Sequence, residues 1–181
     1  MKTRATSRRA KAPVALVTGA GIRVGRAIAL ALAEAGADVA VHYRSSERQA
    51  GEVVRRIRSL GRLAEAFSAD LADPEACRSL VEGVASAFGG LDFLVHSAAN
   101  FHRAPLAETG PDLWESAVNV NARAGFLLAQ SAAPILRRRK GRVVVVSDFL
   151  AIRPVRNYLA HSVSKAAAEG LVRALAVELA P

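Results

Sequence analysis

The chain has 181 residues, enough for one domain with a sizeable core, and no apolar run in it reaches the roughly 18 residues that a membrane span needs. Its formal charge of +9 is concentrated in two places: Lys2, Arg4, Arg8, Arg9 and Lys11 near the start, and the run Arg137, Arg138, Arg139 and Lys140. The other 16 of the 25 basic residues balance the 16 acidic ones, and without aromatic interleaving the two runs argue against nucleic acid as a partner.

The opening MKTRATSRRAKAP lacks the apolar centre of a secretory signal, so residues 1–12 read as a short, basic, disordered tail and 13–181 as the domain. Short aliphatic runs then alternate with helical stretches. Strands are expected at Val14–Val17, Val39–Tyr43, Leu63–Phe67, Phe93–His96 and Val143–Ser147. Their near-continuous Val, Ala and Leu content suits parallel strands buried on both faces. Helices are expected at Val24–Ala35 and Ser45–Leu60, closed by Gly36 and Gly61, then after Asp73-Pro74-Glu75, over Pro111–Leu136 and over Tyr158–Ala180. Asp73 serves there as N-cap and Pro74 as the first helical residue. The run Arg137–Lys140 falls in the loop after the fourth of these helices and reads as a solvated charge cluster. Such alternation predicts right-handed strand–helix–strand units in a doubly wound parallel sheet, a three-layer α/β/α architecture. The strand at Val143–Ser147 is expected at an edge. Cys77, the single cysteine, can form no internal disulfide; it reads as a helix-packing residue in a cytoplasmic protein. No metal-binding pattern is read.

Glycines follow the first strand and precede the first helix in VALVTGAGIRVGRAIA, where Gly19, Gly21 and Gly25 are spaced G-x-G-x-x-x-G. Small residues there let backbone N–H groups approach a dinucleotide pyrophosphate, whose charge the helix N-terminus favours. A cation in the first helical turn is disfavoured unless it has an anionic partner, so Arg23 points to the same phosphates or to an acceptor-rich ring. The second strand ends in His42, Tyr43, Arg44, Ser45 and Ser46. With Tyr43 where a ribose-binding acid is expected, and Arg44 and two serines beside it, a 2′-phosphate is favoured, hence NADPH over NADH.

These motifs resemble the short-chain dehydrogenases/reductases, a Rossmann-type family. Thr18-Gly19 followed by Gly25 is similar to the family's TGxxxGxG motif, and TGAGIRVG, with Arg23 in it, resembles the TGxxxRxG variant of the pteridine reductase branch. The resemblance assigns Thr18, Gly19, Arg23, Val24, Gly25, Tyr43, Arg44, Ser45, Asp70, Leu71, Ala98 and Lys165 to cofactor binding. It assigns Asn121, Asp148, Tyr158, His161 and Lys165 to catalysis, and Arg23, Phe101, Asp148 and Tyr158 to substrate. In the family a Tyr-x-x-x-Lys pair shares one helix face. Here Lys165 matches the lysine, but His161 stands in the tyrosine's place, and Asp148 stands where serine is usual. Arg23, Phe101 and Asp148 all match the pteridine reductase branch, which implies a flat heterocycle stacked on Phe101.

His161 can donate a proton only as imidazolium, a form that the Lys165 ammonium disfavours and a nearby carboxylate favours. Three expectations follow: an Asp148–His161 pair as proton source, Tyr158 as donor in its place, or loss of proton delivery. The whole chain is therefore expected to be an NADPH-dependent reductase of a pterin-like C=N or C=O compound, or else a cofactor-binding or interaction protein without catalysis. Family members usually continue with two further strands and a loop over the substrate, and they form homodimers or tetramers. The sheet is expected to lack those last two strands.

Overall fold

The computed structural model describes residues 12–180; the basic stretch 1–11, and with it the expected tail, lies outside the described residues. Five parallel strands form one sheet: β1 (Val14–Thr18), β2 (Asp38–Tyr43), β3 (Ala64–Ser68), β4 (Phe93–His96) and β5 (Arg142–Val145), in the order β3-β2-β1-β4-β5. The chain builds outward from β1 to β3, then crosses over to place β4 on the other side of β1. In open α/β sheets a crevice forms at such a reversal, outside the carboxyl ends of the strands.

The central strands are covered on both faces, β1 and β2 being buried along almost their whole length. The edge strands β3 and β5, expected to be buried likewise, expose much of theirs, because nothing among the described residues pairs with or covers their outer side. Helices α1 (Arg23–Glu34) and α2 (Glu47–Ser59) pack Ala29, Ala33, Val53 and Ile57 against Val17, Val39 and Val41 on one face. On the other face, α3 (Pro74–Phe88) and α5 (Ala124–Arg139) pack Cys77, Leu80, Val84, Leu128 and Ala132 against Leu16 and Leu94. The expected three-layer α/β/α architecture is the one observed. Cys77 is fully buried, and burial pushes its thiol up to about 11, which suits a packing residue and not a nucleophile. Among the described residues no helix is long and apolar enough to cross a membrane.

Two expectations about helices need correction. The stretch expected as one helix from Pro111 to Leu136 is α4 (Pro111–Val118), a π turn (Asn119–Arg123) and then α5. Within the π turn the Ala124 N–H bonds Asn119 O, one residue further back than an α-helix allows. The Val120 carbonyl, deprived of that donor, receives His96 Nε2 at 3.0 Å. Secondly, Arg137–Arg139 are not in a loop but form the last turn of α5, where cations complement the helix dipole. Arg137 and Arg139 are also not simply solvated, since they donate to the Glu178 and Gly89 carbonyls.

The last helix, α6 (Leu159–Glu178), starts one residue later than expected, with Tyr158 as its N-cap residue. Strand β5 is at the sheet edge as expected, but it stops at Val145. Beyond it the Val146 carbonyl leaves the ladder to accept the Lys165 ammonium at 2.8 Å. Gly36 and Gly61 close α1 and α2 at φ 98° and 75°. A Cβ on Gly36 would meet nothing within 4 Å, so its substitution isolates backbone strain. Gly36→Ala is expected to cost about 1 kcal/mol, read as a lower urea midpoint with an unchanged m-value.

Candidate cofactor and proton-transfer cleft

A cleft of about 410 Å³ opens at the carboxyl ends of β1, β2 and β4. One end is the turn from β1 into α1. Gly19 sits there at φ 64°, and a Cβ on it would come within 2.9 Å of Ala98 Cα, so no other residue fits without shifting the chain. Gly25 is equally confined, 2.3 Å from Gly19 O to its ideal Cβ. Helix α1 then begins without a capping side chain and without an acid in its first turn, so its N–H groups remain available to an anion. Arg23, at the helix start, is exposed and held at φ 50°. That left-handed geometry is costly for any residue but glycine.

Eleven of the expected cofactor contacts line this cleft: Gly19, Arg23, Val24, Gly25, Tyr43, Arg44, Ser45, Asp70, Leu71 and Ala98, and Lys165 at the far end. Thr18 does not line it. Its side chain is fully buried behind the turn, where Oγ1 accepts from the Ser97 and Ala98 N–H groups at 3.0 and 3.1 Å. Thr18 therefore shapes the cleft without facing it. His42, Ser97 and Asn100 line the cleft although no site role was read for them in the sequence.

The other end brings together residues far apart in the chain. The π turn and α6 bury Asn121, which lies outside the cleft lining. Asn121 clamps the backbone of Asn100 from both sides: Oδ1 accepts from its N–H at 2.7 Å and Nδ2 donates to its carbonyl at 3.0 Å. Nδ2 also donates to Ser164 Oγ at 2.9 Å, so the amide is fully engaged by protein. Asn100 in turn ties down α4 through Ser116 at 2.7 Å.

His161, 3% exposed, has its ring between two acceptors. Nδ1 lies 3.1 Å from Asn100 O and Nε2 lies 3.3 Å from Asp148 Oδ2. Only the imidazolium donates to both. Asp148 is aimed by its second oxygen, which caps the short 3₁₀ turn Phe149–Ala151 by accepting from Leu150 N–H at 2.9 Å. That backbone bond holds the carboxyl below its ordinary range, against partial burial, with His161 and Lys165 adding to it. Burial lowers the Lys165 ammonium from its usual range, opposed by Asp148.

Phe101, 49% exposed, lines the cleft and packs its ring edge-on to His161, centroids 4.5 Å apart. Tyr158 stacks on Phe101 at 4.9 Å and is outside the cleft lining, contrary to the expected pocket position. Its ring is occupied in supporting Phe101.

Two further histidines are buried in the cleft's walls. Burial pushes His42 below the ordinary imidazole range, against the Ala69 carbonyl and Asp70, and takes His96 down to about 4, with Lys165 adding to the effect. Both therefore take up a proton less readily in the fold than in the unfolded chain, whose histidines become charged below about pH 6.5. Their contribution to stability is complete above that pH and is lost as the pH falls toward about 4 for His96. Denaturant unfolding is expected to show the midpoint falling across this window, and a His96→Asn variant to show a shallower fall.

The sequence model of a family described as Enoyl-(Acyl carrier protein) reductase matches residues 19–181. The 2-dehydro-3-deoxy-D-gluconate 5-dehydrogenase of Pseudoalteromonas atlantica is 33% identical over 168 residues, which cover 92% of this chain and 66% of that protein. A hydroxynaphthalene reductase-like protein of Metarhizium robertsii is 39% identical, covering 96% of this chain and 65% of its own. The chain thus spans just under two thirds of the length of these curated relatives. Among solved structures, a short-chain dehydrogenase of Burkholderia cenocepacia in complex with NADP superposes with a TM-score of 0.88 at 43% identity, over 92% of this chain and 68% of the other. A blue fluorescent protein from a metagenomic library, in complex with NADPH, gives a TM-score of 0.88 at 36% identity, with the same two coverages, 92% and 68%. Sequence model, relatives and folds agree: the chain belongs to the short-chain dehydrogenase/reductase family.

Proposed function

We propose that the protein is an NADPH-dependent reductase of a small, flat carbonyl or imine compound, in which His161 replaces the family's tyrosine as proton donor. The observation that carries this reading is the position of the His161 ring between Asp148 Oδ2 and Asn100 O, beside Lys165 and the exposed face of Phe101.

NADPH fits the cleft on three counts. The Gly19 and Gly25 approaches leave no room for side chains at the turn, and the uncapped start of α1 offers donors to the pyrophosphate. Arg44, Ser45 and Ser46 line the cleft beside the turn, Ser46 against Gly21, a donor set suited to a 2′-phosphate. NADP and NADPH are the ligands named for the two similar structures. When bound, the dinucleotide supplies a hydride. The chain's own residues do the rest: Lys165 holds the nicotinamide ribose and Arg23 reaches the phosphates or the substrate.

Proton delivery falls to His161. Its Nδ1 is committed to the Asn100 carbonyl and its Nε2 faces Asp148 Oδ2, so the Nε2 proton reaches a substrate by way of Asp148, which lines the cleft. After transfer, the neutral ring would present a lone pair to the carboxylate, which favours prompt reprotonation. The Asp148 side chain, 30% exposed, keeps water within reach for that step.

The pterin substrate is the narrower form of this proposal and rests on Arg23, Phe101 and Asp148 alone. The names of the relatives include a sugar acid and a hydroxynaphthalene, of which the second is also flat. A small-molecule substrate is proposed with assembly into a homo-oligomer, favoured by the exposed Val163, Val172 and Val177 on α6.

Three expected outcomes test the proposal. Arg44→Ala weakens NADPH about tenfold in a fluorescence titration and leaves NADH unchanged. Single-turnover oxidation of NADPH occurs with dihydrobiopterin or a hydroxynaphthalene; Asp148→Asn slows it about a hundredfold, and Tyr158→Phe by less than about threefold. Equal rates for Asp148→Asn and wild type would remove the pair as proton source, and NADPH binding without turnover would favour a non-catalytic cofactor binder. Arg23→Gly raises stability by roughly 0.5–1 kcal/mol through relief of its left-handed geometry, and weakens the dinucleotide.

A further inference from the structure

His42 and His96 take no part in the proposed chemistry, yet they flank the cofactor turn from the two strands beside β1. His42 ends near the top of β2, 2% exposed. Its Nδ1 accepts from the Gly19 N–H at 3.1 Å, and because a backbone amide can only donate, Nδ1 carries no proton. Its Nε2 faces the Ala69 carbonyl at 3.1 Å, and because a carbonyl can only accept, Nε2 must carry one. The neutral Nε2–H tautomer is the single protonation state that satisfies both partners.

His96, on β4, repeats the arrangement on the other flank. Val120 O fixes the proton on Nε2, and Nδ1 is left to accept from the Thr18 hydroxyl at 3.0 Å. Thr18 can spare that proton because its oxygen already accepts from Ser97 and Ala98. Gly125 on α5 makes room for the ring, since a Cβ there would lie 3.3 Å from His96 Cδ2.

A second proton on His42 would place an N–H against the Gly19 N–H, so a hydrogen bond becomes a repulsion in a buried site. Gly19 opens the turn at φ 64°, packed against Ala98, and its amide direction is part of the turn's shape. The charged and titratable groups that face these rings are Asp70 and His96 for His42, and Lys165 and His42 for His96. Asp70 favours the proton on His42; burial outweighs it.

We infer that His42 is a positioning residue for the dinucleotide: its neutral ring holds the Gly19 turn in the form that receives the pyrophosphate, and a proton on the ring releases that turn. The inference rests on the proposed dinucleotide binding and adds to it a residue and a pH limit. His96 secures the same turn through Thr18.

The test has two parts, one of them free of ligand. In the protein alone, the His42 ring nitrogens observed by NMR are expected to report the Nε2–H tautomer at about pH 7.5. The Gly19 amide signal is expected to move with the titration of that ring. An Nδ1–H tautomer, or a Gly19 signal indifferent to the titration, overturns the inference whatever the protein binds.

In the second part, the acid-stable NADP⁺ is titrated by calorimetry from about pH 7.5 down to the lowest pH at which the near-ultraviolet signal of Trp114 stays native. Protonation of the 2′-phosphate affects every variant alike. His42→Asn keeps an oxygen where Nδ1 was but cannot take up a proton, so it is expected to bind within about threefold of wild type at the higher pH. Wild type is expected to lose about tenfold more affinity than His42→Asn over the range. His42→Leu, without an acceptor, is expected to bind about tenfold more weakly throughout. Equal pH dependence in wild type and His42→Asn, or wild-type affinity in His42→Leu, overturns the inference. Absence of wild-type binding at the higher pH, with the NMR result as expected, overturns the dinucleotide reading and the role in binding with it.

Discussion

The hydroxyl of Thr18 accepts from Ser97 N–H and Ala98 N–H while its own proton faces His96, and these bonds tie the end of β1 to the first residues of the loop beyond β4. The sheet reverses its building direction between those two strands, so nothing in the ladder itself determines how far apart the loops beyond them stand. A buried, fully satisfied hydroxyl determines it. Gly19 can approach Ala98 to a distance that excludes any side chain, and the start of α1 is thereby aimed into the cleft.

From Thr18 a chain of bonds leads to the proton-transfer end. His96 passes from Thr18 to the Val120 carbonyl, the next residue in the π turn is Asn121, and Asn121 clamps Asn100, whose carbonyl receives His161. All the links but the half-buried Asn100 are buried polar groups bonded within the protein, a condition under which displacement is costly. The π turn is the element that permits it, since a regular helix would have used the Val120 carbonyl internally.

Three buried histidines meet different sets of partners. His42 and His96 each face one donor and one acceptor, which fits a neutral ring. His161 faces two acceptors, one of them a carboxylate. Residue type alone cannot distinguish these cases, because an imidazole's state depends on what lies within about 3 Å of each nitrogen.

The sequence by itself determined the strand–helix alternation, the parallel sheet, the glycine turn and the donor-rich end of β2, since each depends on local periodicity or on residues adjacent in the chain. Its resemblance to the family also named Asp148, His161 and Lys165, by the motif positions they occupy. Tertiary structure alone decided which groups meet. The break of Pro111–Leu136 at the π turn was invisible because NVNAR has no helix-breaking residue; the cause is the Asn121 and Val120 contacts with segments more than 20 residues away. Likewise Thr18 and Tyr158 carry motif positions but stand behind the cleft, and His42 and Asn100 line it without a motif to announce them. Periodicity reports which face of an element is buried, whereas the partner that a buried polar atom finds depends on chain segments that only folding brings together.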